Sequence, residues 1–429
     1  MPNGCKIFLL CLLAFAVLVG AFCILWPLTG GRTAPAQSTA AAQTQPAPTA
    51  ANTDTPPETE SAATTASETE TVTETQVSAE AQKAQAMLES MTDGEKVWQL
   101  FVATPESVTG VGTVVRAGDA TKTALEEKPV GGLIYFSKNL QDSAQTKEMI
   151  RNSQSYAKTA MLIGVDEEGG TVSRVGSNSA MGTTSFQNMA SYGAAGDTAA
   201  VYDIGKTIGT DLTGLGFNLD FAPVADVVTN PNNTEIGSRS FSSDPETAAK
   251  MVGSIVSGFQ DSGILCTLKH FPGHGGTSTD SHKGLSVTTR TLEEMRASEF
   301  LPFKAGIEAG APMVMVGHLS AEQLNGGKDT PSDLSKAVVT DLLRVELGFQ
   351  GVVITDAQDM GAITDYYSPA EAAVGALQAG VDLILMPADL QAAYDGVMAA
   401  VQSGELTQAR IDESVLRVLT MKYEYGILS

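Results

Sequence analysis

The sequence predicts an α/β fold, a (β/α)8 TIM-type barrel, preceded by an N-terminal membrane anchor and a disordered linker. Three observations predict the barrel. Eight short apolar runs, at 100–103, 130–136, 161–165, 217–223, 266–270, 313–317, 351–355 and 383–386, alternate with segments of helical propensity. The runs are continuously apolar rather than alternating, as suits parallel strands buried on both faces. Polar residues then cluster at the C-terminal ends of consecutive runs, where barrels of this type carry their active sites. A doubly wound open sheet is the competing architecture.

Taken in chain order, residues 1–32 read as the anchor. The stretch "IFLLCLLAFAVLVGAFCILWPL", at 7–28, is uncharged and exceeds the roughly 20 residues that cross a bilayer core as a helix. A removed signal segment is the alternative, but its apolar region is usually shorter and ends in a small-residue cleavage site. Phe22, just before Cys23, does not suit a lipoprotein cleavage site. Lys6 on the near side implies that the body lies outside the membrane, extracytoplasmic. Residues 33–78 are rich in Thr, Ala, Pro, Ser, Gln and Glu without an aromatic side chain. Such a segment buries too little apolar surface to offset its ordering entropy and reads as a disordered linker. The barrel domain is assigned to 79–429. It opens with a helix over 79–91 and a second at Thr92, where Thr92 and Glu95 have capping-box spacing.

Composition excludes several functions. The formal net charge of -23 argues against nucleic-acid binding, which needs clustered Lys and Arg. Cys5, Cys11 and Cys23 lie in or beside the apolar N-terminus, which leaves Cys266 alone in the body, so no disulfide framework staples the fold. Histidine is scarce: of four in the chain, three lie in "KHFPGHGGTSTDSH" at 269–282 and the fourth is His318. Pro272 and the glycines exclude a regular helix there, so this is a strand end running into a loop. His270 and His274 have the i, i+4 spacing of helical zinc ligands, but Pro272 and Gly273 between them deny a shared helix face. No metal or other cofactor is expected.

The strand ends carry the chemistry. Asp166 ends the third run in "VDEEGG", Lys269 and His270 the fifth, His318 the sixth in "MVGH", and Asp356 the seventh in "VVITDAQDM". Polar side chains falling on consecutive strand ends point to an enzyme.

The motifs "KHFPGHG…DSH", "VDEEGGTVSR", "FAPVADV", "GSRSF" and "GFQGVVITDAQDMGAI" occur in this order. Together they resemble the glycoside hydrolase family 3 β-N-acetylglucosaminidases of the NagZ-like group, from about Met91 to the C-terminus. The resemblance implies a retaining, exo-acting β-N-acetylhexosaminidase that releases terminal β-linked GlcNAc. It implies Asp356 as nucleophile, with Asp359 a rival three residues on. It implies His282 as general acid/base paired with Asp280, where most retaining glycosidases use a second carboxyl. Because the two are one residue apart, a bend at Ser281 is needed to bring them together. An imidazole suits the role, with an ordinary pKa near 6.5. Being neutral, it leaves open whether phosphate competes with water in the second step. Asp166, Arg174, Arg239, Lys269 and His270 fall on sugar-binding positions, and His274 and His318 on pocket-shaping ones. Asp226 is read as structural. Gly276 and Ala357 depart from the group's pattern and bear on fine specificity. A β-glucosidase of the same family and a non-catalytic wall-binding module are the alternatives. An anchored, extracytoplasmic body points to cell-wall fragments carrying β-GlcNAc as substrate.

Overall fold

The computed structural model describes residues 78–277 and 284–429. The anchor, and the linker up to residue 77, lie outside these residues, as do Asp280 and His282. Among the described residues no helix is long and apolar enough to cross a membrane.

Eight strands form one all-parallel sheet: β1 (Phe101–Ala103), β2 (Gly132–Ile134), β3 (Leu162–Val165), β4 (Leu219–Asp220), β5 (Leu265–Phe271), β6 (Met313–Val316), β7 (Val352–Thr355) and β8 (Ile384–Leu385). Each of the eight apolar runs contains or overlaps one of them. Their order is β7-β6-β5-β4-β3-β2-β1-β8. A lone parallel bridge between Ile354 and Leu383 brings the two outer strands together. Hydrogen bonds from Thr355 N–H to the Leu383 carbonyl and from Leu383 N–H to the Val353 carbonyl, both 3.0 Å, reinforce it. The sheet is therefore a nearly closed barrel, and the open doubly wound arrangement does not apply.

Residue parity explains why the runs look uniformly apolar. Val102, Ile134, Leu162, Leu265, Met313, Met315, Val352, Ile354 and Leu385 pack in one cluster inside the barrel. Their neighbours Phe101, Leu133, Ile163, Cys266, Val314, Val353 and Ile384 pack in a second cluster against the helices. Alternate side chains point to opposite faces of a strand, but here both faces are apolar, so the period of two is hidden.

At least one helix follows each strand, among them α1 (Asp119–Glu127), α2 (Ser143–Tyr156), α3 (Thr198–Leu215), α4 (Pro245–Ser262), α5 (Phe300–Glu308), α6 (Ala337–Glu346), α7 (Pro369–Ala379) and α8 (Leu390–Ser403). Side chains at Asp142, Asp197, Asp244, Ser368 and Asp389 accept N–H bonds from the first turns of α2, α3, α4, α7 and α8. These are caps worth about 1 kcal/mol each. The helix Ala79–Ser90 and the capping box of Thr92 with Glu95 form as the sequence predicts. Helices α3 and α4 meet through glycine: a Cβ on Gly258 would lie 2.1 Å from the Tyr202 carbonyl, and one on Gly205 2.4 Å from that of Ile255. Only a residue without a side chain permits that approach.

The last helix, Gln408–Glu424, sends Val418 and Met421 into the interior cluster. The next residue, Lys422, is fully buried, and its Nζ donates to Gln99 Oε1 at 3.1 Å and the Gly131 carbonyl at 2.9 Å. Burial lowers its pKa to about 7. The unfolded chain holds that proton up to the usual value near 10.4, so this residue makes folding stability rise with pH from about 7 to 10. Lys422→Met should flatten that rise. Denaturant unfolding of both proteins at pH 6.5 and pH 9.5 checks it, and an unchanged difference between the two pH values would count against the charge argument.

Candidate active site

Strand parity also builds the site. Inward positions on β3 are Leu162 and Gly164, so Asp166 and Glu168 continue the inward series past the strand end. On β5 the series is Leu265, Thr267, Lys269. On β7 it is Val352, Ile354, Asp356. The register that fills the barrel with apolar side chains therefore places these four charges over its C-terminal mouth.

They meet there. Lys269 Nζ lies 2.8 Å from Asp166 Oδ1 and 2.7 Å from Glu168 Oε1. Arg239 forks onto Glu168, with Nε to Oε2 and Nη2 to Oε1 both 2.8 Å. Burial works against the charge on Glu168, but Lys269 and Arg239 outweigh it and hold the carboxyl down at about 2. Lys269 is raised in turn: burial opposes its charge, and Asp166 and Glu168 overcome that. Arg174 reaches Asp166 at 4.0 Å and lies over the Phe136 ring, 5.7 Å from its centroid. Glu167, on the opposite register, takes backbone N–H bonds from Arg174, Val175 and Gly176. It thereby pins the hairpin of Glu167–Gly169 with Val172–Ser173 that carries Arg174 to the cleft.

Asp356 is the first residue past β7. Its N–H donates to the Val316 carbonyl at 2.9 Å, and the Ala357 N–H donates to its Oδ1 at 2.8 Å. Burial pushes its carboxyl up, but His270, His318, the Ala357 N–H and Lys269 together bring it below the ordinary aspartate range. It is therefore ionised at neutral pH. His270 lines the same cleft, with Nδ1 2.7 Å from Asp226 Oδ2. Asp226 is fully buried and also accepts the His274 N–H at 2.6 Å. That matches a structural part for Asp226, one that orients His270.

The cleft is lined by five carboxylates, Asp166, Glu168, Glu235, Asp356 and Asp359, and three permanent cations, Arg174, Arg239 and Lys269. Its volume of about 250 Å³ falls just below the roughly 300–1,000 Å³ of typical ligand sites. His274 and His318 do not line it. His274 is buried behind the wall, its Nδ1 3.0 Å from Thr277 Oγ1, and burial lowers its pKa. His318 lies behind Asp356, fully buried, facing Asp333. Among the described residues no group of three His, Cys, Asp or Glu side chains is disposed to hold a metal ion.

The structure thus brings together Asp166, Arg174, Arg239, Lys269, His270 and Asp356. Two participants escape a sequence reading: Glu168, the hub between Lys269 and Arg239, and Asp333. Glu168 has a usable signal, since it stands two positions from Asp166 on one face of an extended segment. Asp333 has none, because it comes from a turn 15 positions beyond His318.

A parallel barrel whose mouth gathers paired carboxylates, lysine and arginine around one ionised aspartate suits a carbohydrate-processing enzyme. The chain matches the glycosyl hydrolase family 3 N terminal domain over residues 92–421 and belongs to that family. It is 36% identical over 319 residues to beta-hexosaminidase A of Pseudoalteromonas piscicida, covering 68% of this chain and 53% of that one. It is 40% identical over 272 residues to beta-hexosaminidase LpqI of Mycobacterium tuberculosis, covering 61% of this chain and 68% of that one. The solved family 3 beta-N-acetylglucosaminidase of Paenibacillus sp. str. FPU-7 superposes with a TM-score of 0.73 at 38% identity, over 79% of this chain and 63% of that one. The chain therefore spans about half the length of the Pseudoalteromonas relative.

Proposed function

We propose that this glycoside hydrolase is a retaining, exo-acting β-N-acetylglucosaminidase that removes terminal β-linked GlcNAc in two steps. The observation that carries the reading is an ionised Asp356 facing a small cleft with Asp166, Lys269, Glu168 and Arg239 gathered beside it. In the first step an Asp356 oxygen bonds to the anomeric carbon while the glycosidic C–O bond breaks. His282 gives its proton to the leaving oxygen. In the second step His282 takes a proton from water, the water oxygen bonds to the anomeric carbon, and the Asp356 carboxylate leaves. Asp280 would hold the His282 ring and favour its protonated form. Asp166, Arg174, Arg239, Lys269 and His270 would bind the hydroxyls of the terminal sugar, since buried hydroxyls need partners. A cleft of this size suits one ring, and hence release from a chain end. The names of the relatives support the choice of GlcNAc over glucose.

Turnover of aryl β-GlcNAc, a β-GlcNAc–MurNAc disaccharide and aryl β-glucoside, measured side by side, tests the reading. The two GlcNAc substrates should be cleaved and the glucoside should lag well behind; a preferred glucoside would replace this function with that of a β-glucosidase. Residues 1–32 would anchor the protein in the cell membrane and 33–78 would tether the barrel outside the cytoplasm, where wall fragments are found. A protein beginning at Ala79 should then be soluble and fully active, and external protease should remove the barrel from intact cells. A barrel that resists protease until the cells are opened would exclude the outward orientation.

A further inference from the structure

We infer that His318 is a positioning residue for Asp356, held as a doubly protonated imidazolium between the Asp333 carboxylate and the Ala357 carbonyl. The inference rests on the reading of Asp356 as the nucleophile. His318 Nε2 lies 2.8 Å from the Ala357 carbonyl oxygen, which can only accept, so Nε2 carries a hydrogen. His318 Nδ1 lies 3.1 Å from Asp333 Oδ1, and both side chains are fully buried. That second contact is at ion-pair distance without hydrogen-bond geometry, and neither Asp333 oxygen has another hydrogen-bond partner. A carboxylate that close favours the protonated ring, and a lone buried charge on Asp333 would be costly without a cation beside it, so the ring is read as the cation of the pair.

The cation acts on the reacting group in two ways. It grips the Ala357 carbonyl, and Ala357 is the residue whose N–H donates to Asp356 Oδ1 at 2.8 Å. Fixing that residue from behind aims its N–H at the carboxylate. It also puts a positive charge beside Asp356 on the side away from the cleft. The charged groups facing the ring are Asp333, from the turn Ser332–Leu334, and Asp356, just past the end of β7. Beyond Asp356 stand His270 and Lys269 of β5. The Asp333 turn is itself tied down, with the Ser332 N–H and hydroxyl both donating to the Leu319 carbonyl, at 2.9 and 2.6 Å. Burial alone would lower the His318 pKa, but Asp333 chiefly, with Asp356 and the Ala357 carbonyl, raises it to about 9. The charge therefore persists across neutral pH and is lost only as pH climbs through about 9.

The chain has 4 histidines, so ring ¹⁵N spectra of the wild-type protein at pH 8 resolve this one. Both His318 nitrogens should be protonated; a neutral ring would overturn the inference without any variant. His318→Gln keeps a donor but no charge, and Asp333→Asn removes the partner. Each should lower kcat about 10- to 100-fold, the scale on which small misplacement acts, with KM changed less than about 3-fold. The acid limb of kcat/KM should move to higher pH, because Asp356 loses a cation that favours its ionised form. Folded variants with wild-type kcat and an unmoved acid limb would also overturn it. Mass spectrometry of a trapped 2-fluoro glycosyl-enzyme separates the two readings. A label away from Asp356 removes the nucleophile assignment, whereas a label on Asp356 with unaffected variants removes only the role of His318.

Discussion

Asp356→Asn is expected to lower turnover by at least about 10³-fold, the scale on which removing a reacting side chain acts. The amide matches the carboxylate in shape but is too weak a nucleophile to form the glycosyl-enzyme. The fold should survive. The Ala357 N–H that meets Oδ1 at 2.8 Å can meet the amide oxygen instead, and removing one charge from this half-buried site leaves the Lys269, Glu168 and Arg239 cluster intact. Intact-mass and peptide analysis of wild-type protein after a fluorinated mechanism-based trap should place the sugar on Asp356. A label on Asp359, which also lines the cleft, would move the nucleophile three residues along the chain.

For His282→Ala the effect should depend on the leaving group. Substrates with poor leaving groups need a proton delivered and should slow by about 10²–10⁴-fold, the usual contribution of a general acid. Activated aryl glycosides should still load Asp356 and then stall, because water lacks its base. Azide, which needs no base, should release the stalled sugar as a β-glycosyl azide. Equal slowing of both substrate types, with no azide effect, would remove His282 from the reaction.

How much of this was legible in the sequence follows from what strands do to side chains. Eight runs of buried residues, each long enough for a short strand, imply the barrel, and all eight are strands or overlap one. Asp166, Lys269 and Asp356 were visible because each stands at or just past a run's end, and the inward series 352, 354, 356 points the last of them over the barrel axis. Arg174 and Arg239 came from motif resemblance alone. Their placement depends on a hairpin pinned by Glu167 and on a fork to Glu168, neither of which has a sequence period. The partnership of His318 with Asp333 was hidden for a similar reason. It is a contact between a strand end and a later turn, set by tertiary packing. His318, expected to shape the pocket, stands one layer behind its wall.

The make-up of the cleft wall also sets a preference of sign among inhibitors. Its five carboxylates outnumber its three permanent cations, a formal excess of two negative charges in a partly dry space where charge is weakly screened. In the proposed reaction the glycosyl group would pass through an oxocarbenium-like state with positive charge at its ring, and such a wall would favour the moment of bond cleavage over the resting sugar. A six-membered ring with a protonated nitrogen in place of that charge would meet the same field permanently. Amine-bearing sugar mimics should therefore outbind neutral lactams of equal shape, and the margin should shrink as the amine is titrated to its free base.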